Sequence, residues 1–201
     1  MRKNVGDLYD EAINKCKGKN VGDIMCEKLK TLNGTKAEQI LSLCNQASNI
    51  VVDLEGIVER LGLYKYARTF DDIEEKLKQT VKGLVLLSGD DIGIFYDSEA
   101  TVREKRFIIA HEIGHCCLHG DTLKEGYIEY LHKDGFENER EKEASAFAAR
   151  LLIPESSLMR LHSALLVPTV KDLAEMFLVP ERLMEYRLDT LGLNYFATQG
   201  E

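Results

Sequence analysis

The feature that most constrains this chain of 201 residues is the stretch at positions 106–118, where two histidines and a glutamate interrupt an apolar helical pattern. His111 and His115 are four residues apart, so on an α-helix they lie one above the other on one face. Burying two imidazoles and a carboxylate is costly unless they are bonded. The stretch therefore predicts a core helix, over roughly residues 102–118, that holds either a metal ion or two hydrogen-bonded histidines. The apolar residues that share or flank the histidine face are Phe107, Ile108 and Leu118.

Glu112 gives this helix a chemical interpretation. It follows His111 directly and lies about 100° further around the helix, beside a metal ion rather than bound to it. From there a carboxylate can take a proton from a water molecule and pass it to a leaving amine. Zn²⁺ held by two imidazoles lowers the pKa of its water to about 7. The spacing thus predicts Zn²⁺ as the cofactor, His111 and His115 as ligands, and Glu112 as the catalytic base.

A catalytic zinc site needs a third protein ligand and one position left open for water. His119 lies one turn beyond His115, but three consecutive turns of a helix cannot converge on one ion, because the outer two residues are about 12 Å apart along the axis. We interpret His119 as core packing or as a contact to a ligand. The next predicted helix, at about 139–152, offers three candidates, and spacing alone leaves the choice open. They are Glu139, Glu141 and Glu143.

Apolar periodicity predicts a long helix before the histidine helix. Apolar residues recur at alternating spacings of four and three from Ile40 to Leu61, which indicates one stripe on one helix. Thr35 and Glu38 form a capping box at its start, and Gly62 closes it. We expect the stripe to pack on the chain's own core, with a coiled-coil partner as the alternative.

The remaining pattern predicts an α+β fold that is mainly helical. Two short apolar runs, at 83–87 and 92–96, flank turn residues and indicate a hairpin in a small antiparallel sheet. We expect this sheet to pack on the histidine helix, and a loop to fill the 20 residues or so after that helix. Two short helices, near 170–177 and 181–191, end the chain. They have a helix-turn-helix rhythm, but their excess of acidic residues favours core packing or substrate docking over DNA binding.

The first 34 residues contain an internal duplication. Residues 3–8 (Lys-Asn-Val-Gly-Asp-Leu) return at 19–24 as Lys-Asn-Val-Gly-Asp-Ile, and each copy ends in a glycine, at Gly18 and Gly34. Each unit fits a short helix that an Asp caps and the glycine terminates. We therefore predict a duplicated helical arm at 1–34 and a second domain at 35–201, with its C-terminal helices from about 155. The arm is either a partner-binding element or a loosely packed extension.

Composition limits the function classes. The formal net charge of -8 opposes nonspecific binding to nucleic acid, which depends on neutralising phosphates with Lys and Arg. No apolar run is long enough to span a bilayer and no signal peptide precedes the chain, so we expect a soluble cytoplasmic protein with no membrane partner. Five cysteines without paired spacing indicate reduced thiols that pack as small hydrophobes.

Three separate blocks of the sequence match one known pattern. Residues 106–115 read Arg-Phe-Ile-Ile-Ala-His-Glu-Ile-Gly-His, 118–119 read Leu-His, and 141–154 begin Glu-Lys-Glu-Ala-Ser-Ala-Phe and end Leu-Leu-Ile-Pro. Together they resemble the ImmA/IrrE family of metallopeptidases over roughly residues 36–192. The resemblance implies a compact α+β fold with a gluzincin-like site, a bacterial or mobile-element origin, and cleavage of a helix-turn-helix repressor. One departure is Ser145, where the family usually carries Asn or Asp to orient a ligand.

Helix geometry and the family pattern both favour Glu141 as the third ligand. At 100° per residue, Glu141 shares the apolar side of its helix with Ala144 and Ala148, whereas Glu143 lies about 200° away on the solvent side. An unpaired carboxylate on the apolar side would be expensive. The alternative is a capping role for Glu141, in a capping box that Asn138 begins. The family's ligand matches the first Glu of the Glu-x-Glu-Ala block.

These observations predict an intracellular zinc-dependent endopeptidase whose protein substrate is a specific helix-turn-helix repressor. The competing hypothesis is a non-catalytic metal-binding sensor or toxin–antitoxin partner, which binds proteins and cuts nothing. Glu112 separates the two, because a purely structural site has no use for a base and fills all its coordination positions.

Overall fold

The computed structural model describes residues 27–71, 81–88, 91–120, 128–132 and 139–196, and in this part of the chain eight helices accompany a four-stranded sheet. This is the α+β, mainly helical fold that the sequence predicts. Most of the predicted N-terminal arm lies outside the described residues. The helices are α1 (Glu27–Leu32), α2 (Ala37–Leu43), α3 (Leu54–Arg60), α4 (Val102–Leu118), α5 (Glu139–Leu152), α6 (Glu155–Ala164), α7 (Val170–Phe177) and α8 (Glu181–Leu191); the strands are β1 (Tyr64–Arg68), β2 (Val81–Ser88), β3 (Asp91–Asp97) and β4 (Ile128–His132).

The sheet has the strand order β1-β3-β2-β4. The predicted hairpin is present, because β2 and β3 pair antiparallel with Ser88 opposite Asp91. Strand β4 also pairs antiparallel with β2, whereas β1 runs parallel to β3. The predicted antiparallel sheet is therefore right for two of the three pairings. Strand β4 lies in the stretch predicted to be a loop, and β1 was not predicted.

The single long helix predicted for residues 35–61 is wrong. The chain forms α2 and α3 instead, because Asn45 adopts a left-handed φ of 55° that a helix cannot continue. Asp53 then starts α3 by accepting a hydrogen bond from the backbone N–H of Gly56 (3.0 Å). The start of α2 is also shifted by one residue from the predicted cap, since the backbone N–H of Lys36 donates to Oε1 of Gln39 (2.7 Å).

Helix α4 has the bounds that the sequence predicts. Its first turn is closed by a capping box, in which Thr101 and Glu104 each accept a hydrogen bond from the other's backbone N–H. Every residue from Ile108 to Cys117 is buried. The histidine helix is therefore enclosed on all sides, with the β2–β3 hairpin and α5 among the elements that pack against it.

Small residues allow α4 and α5 to approach closely. A Cβ atom added at Gly114 would stand 3.1 Å from the carbonyl oxygen of Ala144 and 3.3 Å from Cβ of Phe147. Contacts this short leave no room for a larger side chain at Gly114. The absence of that side chain therefore sets the distance between the two helices and brings Glu141 within reach of the histidines.

The C-terminal helices contribute to the core. Helices α7 and α8 bury their apolar faces, which supports the core-packing interpretation of the helix-turn-helix rhythm. No helix in the described part of the chain is long and apolar enough to cross a membrane. The buried residues of these two helices include Leu173, Ala174, Phe177, Leu183, Met184 and Leu188.

Candidate metal centre

The side chains of His111, His115 and Glu141 meet between α4 and α5. Nε2 of His111 lies 2.9 Å from Nε2 of His115 and 3.1 Å from Oε2 of Glu141. Nε2 of His115 lies 3.3 Å from Oε1 of Glu141. All three residues are buried, and their donor atoms form the kind of group that could hold a metal ion.

The geometry of these donors fits a small divalent cation. Zn²⁺ bonds to imidazole nitrogen and carboxylate oxygen at about 2.0–2.2 Å, so two ligands of a tetrahedral site stand roughly 3.3 Å apart. The separations among His111, His115 and Glu141 run from 2.9 to 3.3 Å. Two nitrogens and a carboxylate oxygen are also a usual donor set of catalytic zinc sites. The residues present therefore fit a metal ion.

Glu141 is held as a carboxylate. Burial alone would raise the pKa of Glu141, but hydrogen bonds from His111 and His115 and the charge of those rings outweigh it and lower the pKa to about 2. The predicted orientation of α5 is confirmed, because Ala144 and Ala148 on the same side as Glu141 are fully buried. An ionised carboxylate on the core side of α5 thus faces the two imidazoles.

The other ring nitrogen of each histidine has a partner away from the donor group. Nδ1 of His111 lies 3.2 Å from the hydroxyl oxygen of Ser145, so the residue that departs from the family pattern still contacts a ring. Nδ1 of His115 lies 3.1 Å from Nδ1 of His119. On its far side, Nε2 of His119 lies 2.9 Å from Oε2 of Glu143. Of the two interpretations offered for His119, the structure favours the contact to a candidate ligand.

Glu112 lies on the sheet side of α4 and is fully buried. Its carboxylate faces β2 at Gly83, where an added Cβ atom would come within 2.7 Å of Oε1 of Glu112.

Cys117, five residues further along α4 than Glu112, is excluded from the donor group. Burial raises the pKa of Cys117 to about 12, so this thiol stays protonated and packs as an apolar group.

Comparison with known proteins decides the family. The chain matches the peptidase family model described as the IrrE N-terminal-like domain over residues 62–189. The chain belongs to this family. No curated protein matches it. The IrrE-like peptidase match runs from the end of α3 into α8 and contains the three donor residues and Glu112, which makes the chain a metallopeptidase of the ImmA/IrrE type.

Two residues near this IrrE-like centre were missed by sequence reasoning. Gly83 was read as an ordinary strand residue, although a glycine inside a strand is a known sign of close backbone approach. Glu143 was assigned to the solvent face, and its side chain is indeed 60% exposed, yet its carboxylate reaches His119. No local signal marks that contact, because the two residues are 24 positions apart on different helices.

Proposed function

We propose that this chain is a zinc-dependent endopeptidase that acts in the cytoplasm on a specific helix-turn-helix repressor. One observation carries the proposal: the donor atoms of His111, His115 and Glu141 converge, and Glu112 occupies the position next to His111 on the same helix. Membership of a peptidase family supports a protein substrate.

Each residue has a distinct role in the proposed reaction. Zn²⁺, when bound, supplies a Lewis acid that lowers the pKa of a water molecule to about 7 and polarises the scissile carbonyl. His111, His115 and Glu141 would hold the ion. Glu112 accepts a proton from the attacking water and delivers it to the nitrogen of the leaving amine as the peptide bond breaks.

The surroundings of Glu112 suit a base. The side chain is fully buried, so bulk water does not compete for its proton. The close approach of Gly83 limits the positions that the carboxylate can take, because even a Cβ atom added at Gly83 would stand 2.7 Å from Oε1 of Glu112. A base held in one place loses little entropy when the substrate binds.

Charge supports a repressor as the substrate. The formal net charge of the chain is -8, so its field attracts basic partners. Repressors that bind DNA present Lys and Arg to phosphates, and such a surface is attracted to an acidic protein. Together with the ImmA/IrrE resemblance, this favours a small basic repressor encoded beside the peptidase gene.

The test combines metal analysis with cleavage of that neighbouring repressor. Wild-type protein should bind about one Zn²⁺ per chain and cut the repressor at one or few sites, as read by mass spectrometry of the fragments. Glu112→Gln should keep the metal and the fold but lose cleavage, because the amide cannot accept the proton. Glu139→Gln, a change of the same kind at an exposed position of α5, is the matched control and should cleave normally.

Two outcomes would contradict the proposal. Cleavage by Glu112→Gln at the wild-type rate would remove Glu112 as the base. Metal-loaded wild-type protein that binds the repressor and leaves it intact would favour the non-catalytic sensor instead.

A further inference from the structure

Two residues behind His115 have a defined part in the metal site. We propose that Glu143 and His119 form a positioning chain, which holds the ring of His115 in the tautomer that turns a lone pair on Nε2 toward the ion. The inference rests on the proposed metal site, but neither Glu143 nor His119 would touch the ion. His119 and Glu143 are therefore positioning residues and not ligands.

The positioning chain of Glu143 and His119 runs from solvent into the core. The Glu143 side chain is 60% exposed, so its carboxylate lies at the solvent end. Its Oε2 lies 2.9 Å from Nε2 of His119, whose side chain is only 8% exposed. Nδ1 of His119 lies 3.1 Å from Nδ1 of His115, which is fully buried.

The positions of the protons follow from these contacts. The Glu143 carboxylate can only accept, so Nε2 of His119 carries the hydrogen. In the tautomer of His119 with its hydrogen on Nε2, Nδ1 has the lone pair and accepts from Nδ1–H of His115. His115 with its hydrogen on Nδ1 has a lone pair on Nε2, the atom that faces His111 and Glu141.

Glu141 favours the opposite tautomer of the His115 ring. With no ion present, Oε1 of Glu141 at 3.3 Å favours a hydrogen on Nε2 of His115, and that hydrogen must leave before a metal can bind. The positioning chain of Glu143 and His119 opposes this tautomer, in which the hydrogen is on Nε2 of His115. The two candidate histidines differ here, because Nδ1 of His111 lies next to the hydroxyl of Ser145, whereas Nδ1 of His115 lies next to the ring of His119.

The proposal predicts an ordered loss of zinc affinity among five proteins, measured by competition with a chromophoric chelator. His119→Phe removes the acceptor but keeps the volume, and should weaken Zn²⁺ binding by about 10- to 100-fold. His119→Asn places an amide oxygen near the position of Nδ1 and should recover most of that loss. Glu143→Ala should fall between His119→Asn and His119→Phe. Glu139→Ala, an exposed acid of the same helix paired with Lys142, is the matched control and should equal wild type.

A second readout separates positioning from packing. In the metal-free proteins, ¹⁵N chemical shifts of the His115 ring should report a larger share of hydrogen on Nδ1 in wild type than in His119→Phe, where the form with hydrogen on Nε2 should gain. If circular dichroism shows that His119→Phe does not fold, the inference is tested by the ¹⁵N spectra and zinc affinities of Glu143→Ala and His119→Asn.

Three results would overturn the inference. They are a zinc affinity of His119→Phe equal to wild type, a His119→Asn variant no better than His119→Phe, and a Glu143→Ala variant equal to Glu139→Ala. Failure of the proposed metal site is a different result. It would appear as full zinc retention by His111→Ala, whatever the variants of His119 and Glu143 do.

Discussion

The carboxylate of Glu112 lies against the backbone of Gly83. A Cβ atom added at Gly83 would stand 2.7 Å from Oε1 of Glu112 and 2.5 Å from Cγ2 of Ile108, both closer than real contacts allow. Strand β2 therefore has to pass this point of α4 without a side chain. The sheet, and not only the helix, sets where the proposed base lies.

Gly83→Ala should separate cleavage from metal binding. The added methyl group must displace Glu112, and a shift of about 1 Å in a catalytic group costs on the order of 100-fold in rate. Overpacking should also lower the free energy of unfolding by about 1–3 kcal/mol. Zinc content should stay at the wild-type level, because the donors lie on the α5 side. Gly93→Ala in β3, where the methyl would meet Phe95 and Tyr66 instead, is the control. Full activity of Gly83→Ala would show that Glu112 is not the base or is not held by β2.

Zinc should stabilise the folded chain. An ion that binds only the folded state adds about 4 kcal/mol when free metal is a thousandfold above its Kd. Calorimetry with zinc and with a chelator should therefore give clearly different Tm values for wild type. For His111→Ala the two values should coincide, since this change removes one of three ligands. A zinc-dependent Tm in His111→Ala equal to that of wild type would place the ion elsewhere.

Gly114→Ala should weaken metal binding although alanine is the better helix former. Replacing a helical glycine gains about 0.5–1 kcal/mol in intrinsic propensity. However, the new Cβ would stand 3.1 Å from the Ala144 carbonyl, so α5 and Glu141 must move outward. We expect a loss of about tenfold in zinc affinity, of the size seen when the support of a ligand is disturbed. Zinc titration beside a circular dichroism spectrum measures both effects. An unchanged affinity would mean that α5 does not move.

Asp97 should make the free energy of unfolding depend on pH in the acid range. Burial alone would raise the pKa of Asp97, but hydrogen bonds from Lys82 (2.7 Å) and from the backbone N–H of Glu99 (2.9 Å) outweigh it and lower the pKa. Because the pKa of Asp97 is lower in the folded state than the value of about 3.9 in the unfolded state, its ionisation stabilises the fold at pH above that value. This contribution is lost as the pH falls through the folded-state pKa. Asp97→Asn should therefore destabilise the chain at pH 7 and much less near pH 3. Denaturant unfolding at both pH values tests this, with Asp91→Asn at the exposed start of β3 as control. An equal loss at both pH values would argue against the charged pair.

The metal helix and its partner were predictable because their signals are local. The pattern at 106–118 marks α4, and Pro154 follows the end of α5. The four-residue spacing of His111 and His115 and the apolar side of α5 then identify the donor group without knowledge of the fold.

Contacts between distant elements were not predictable in the same way. The apolar stripe of residues 40–61 has the right period for one helix, but the left-handed Asn45 breaks it. Strand β1 was missed because none of its five residues is buried, so no alternation of buried and exposed residues marks it. The contact between His119 and Glu143 depends on how closely α4 and α5 pack at Gly114, a distance that no local pattern encodes.

All three candidate donors come from two packed helices, His111 and His115 from α4 and Glu141 from α5. Beyond His119, the segment that connects the two helices is thus separable from the donor group by mutation. A lineage can lengthen or rewrite the connection outside strand β4 while α4 and α5 stay as they are. Changes in that segment can therefore accumulate without altering the three candidate donors.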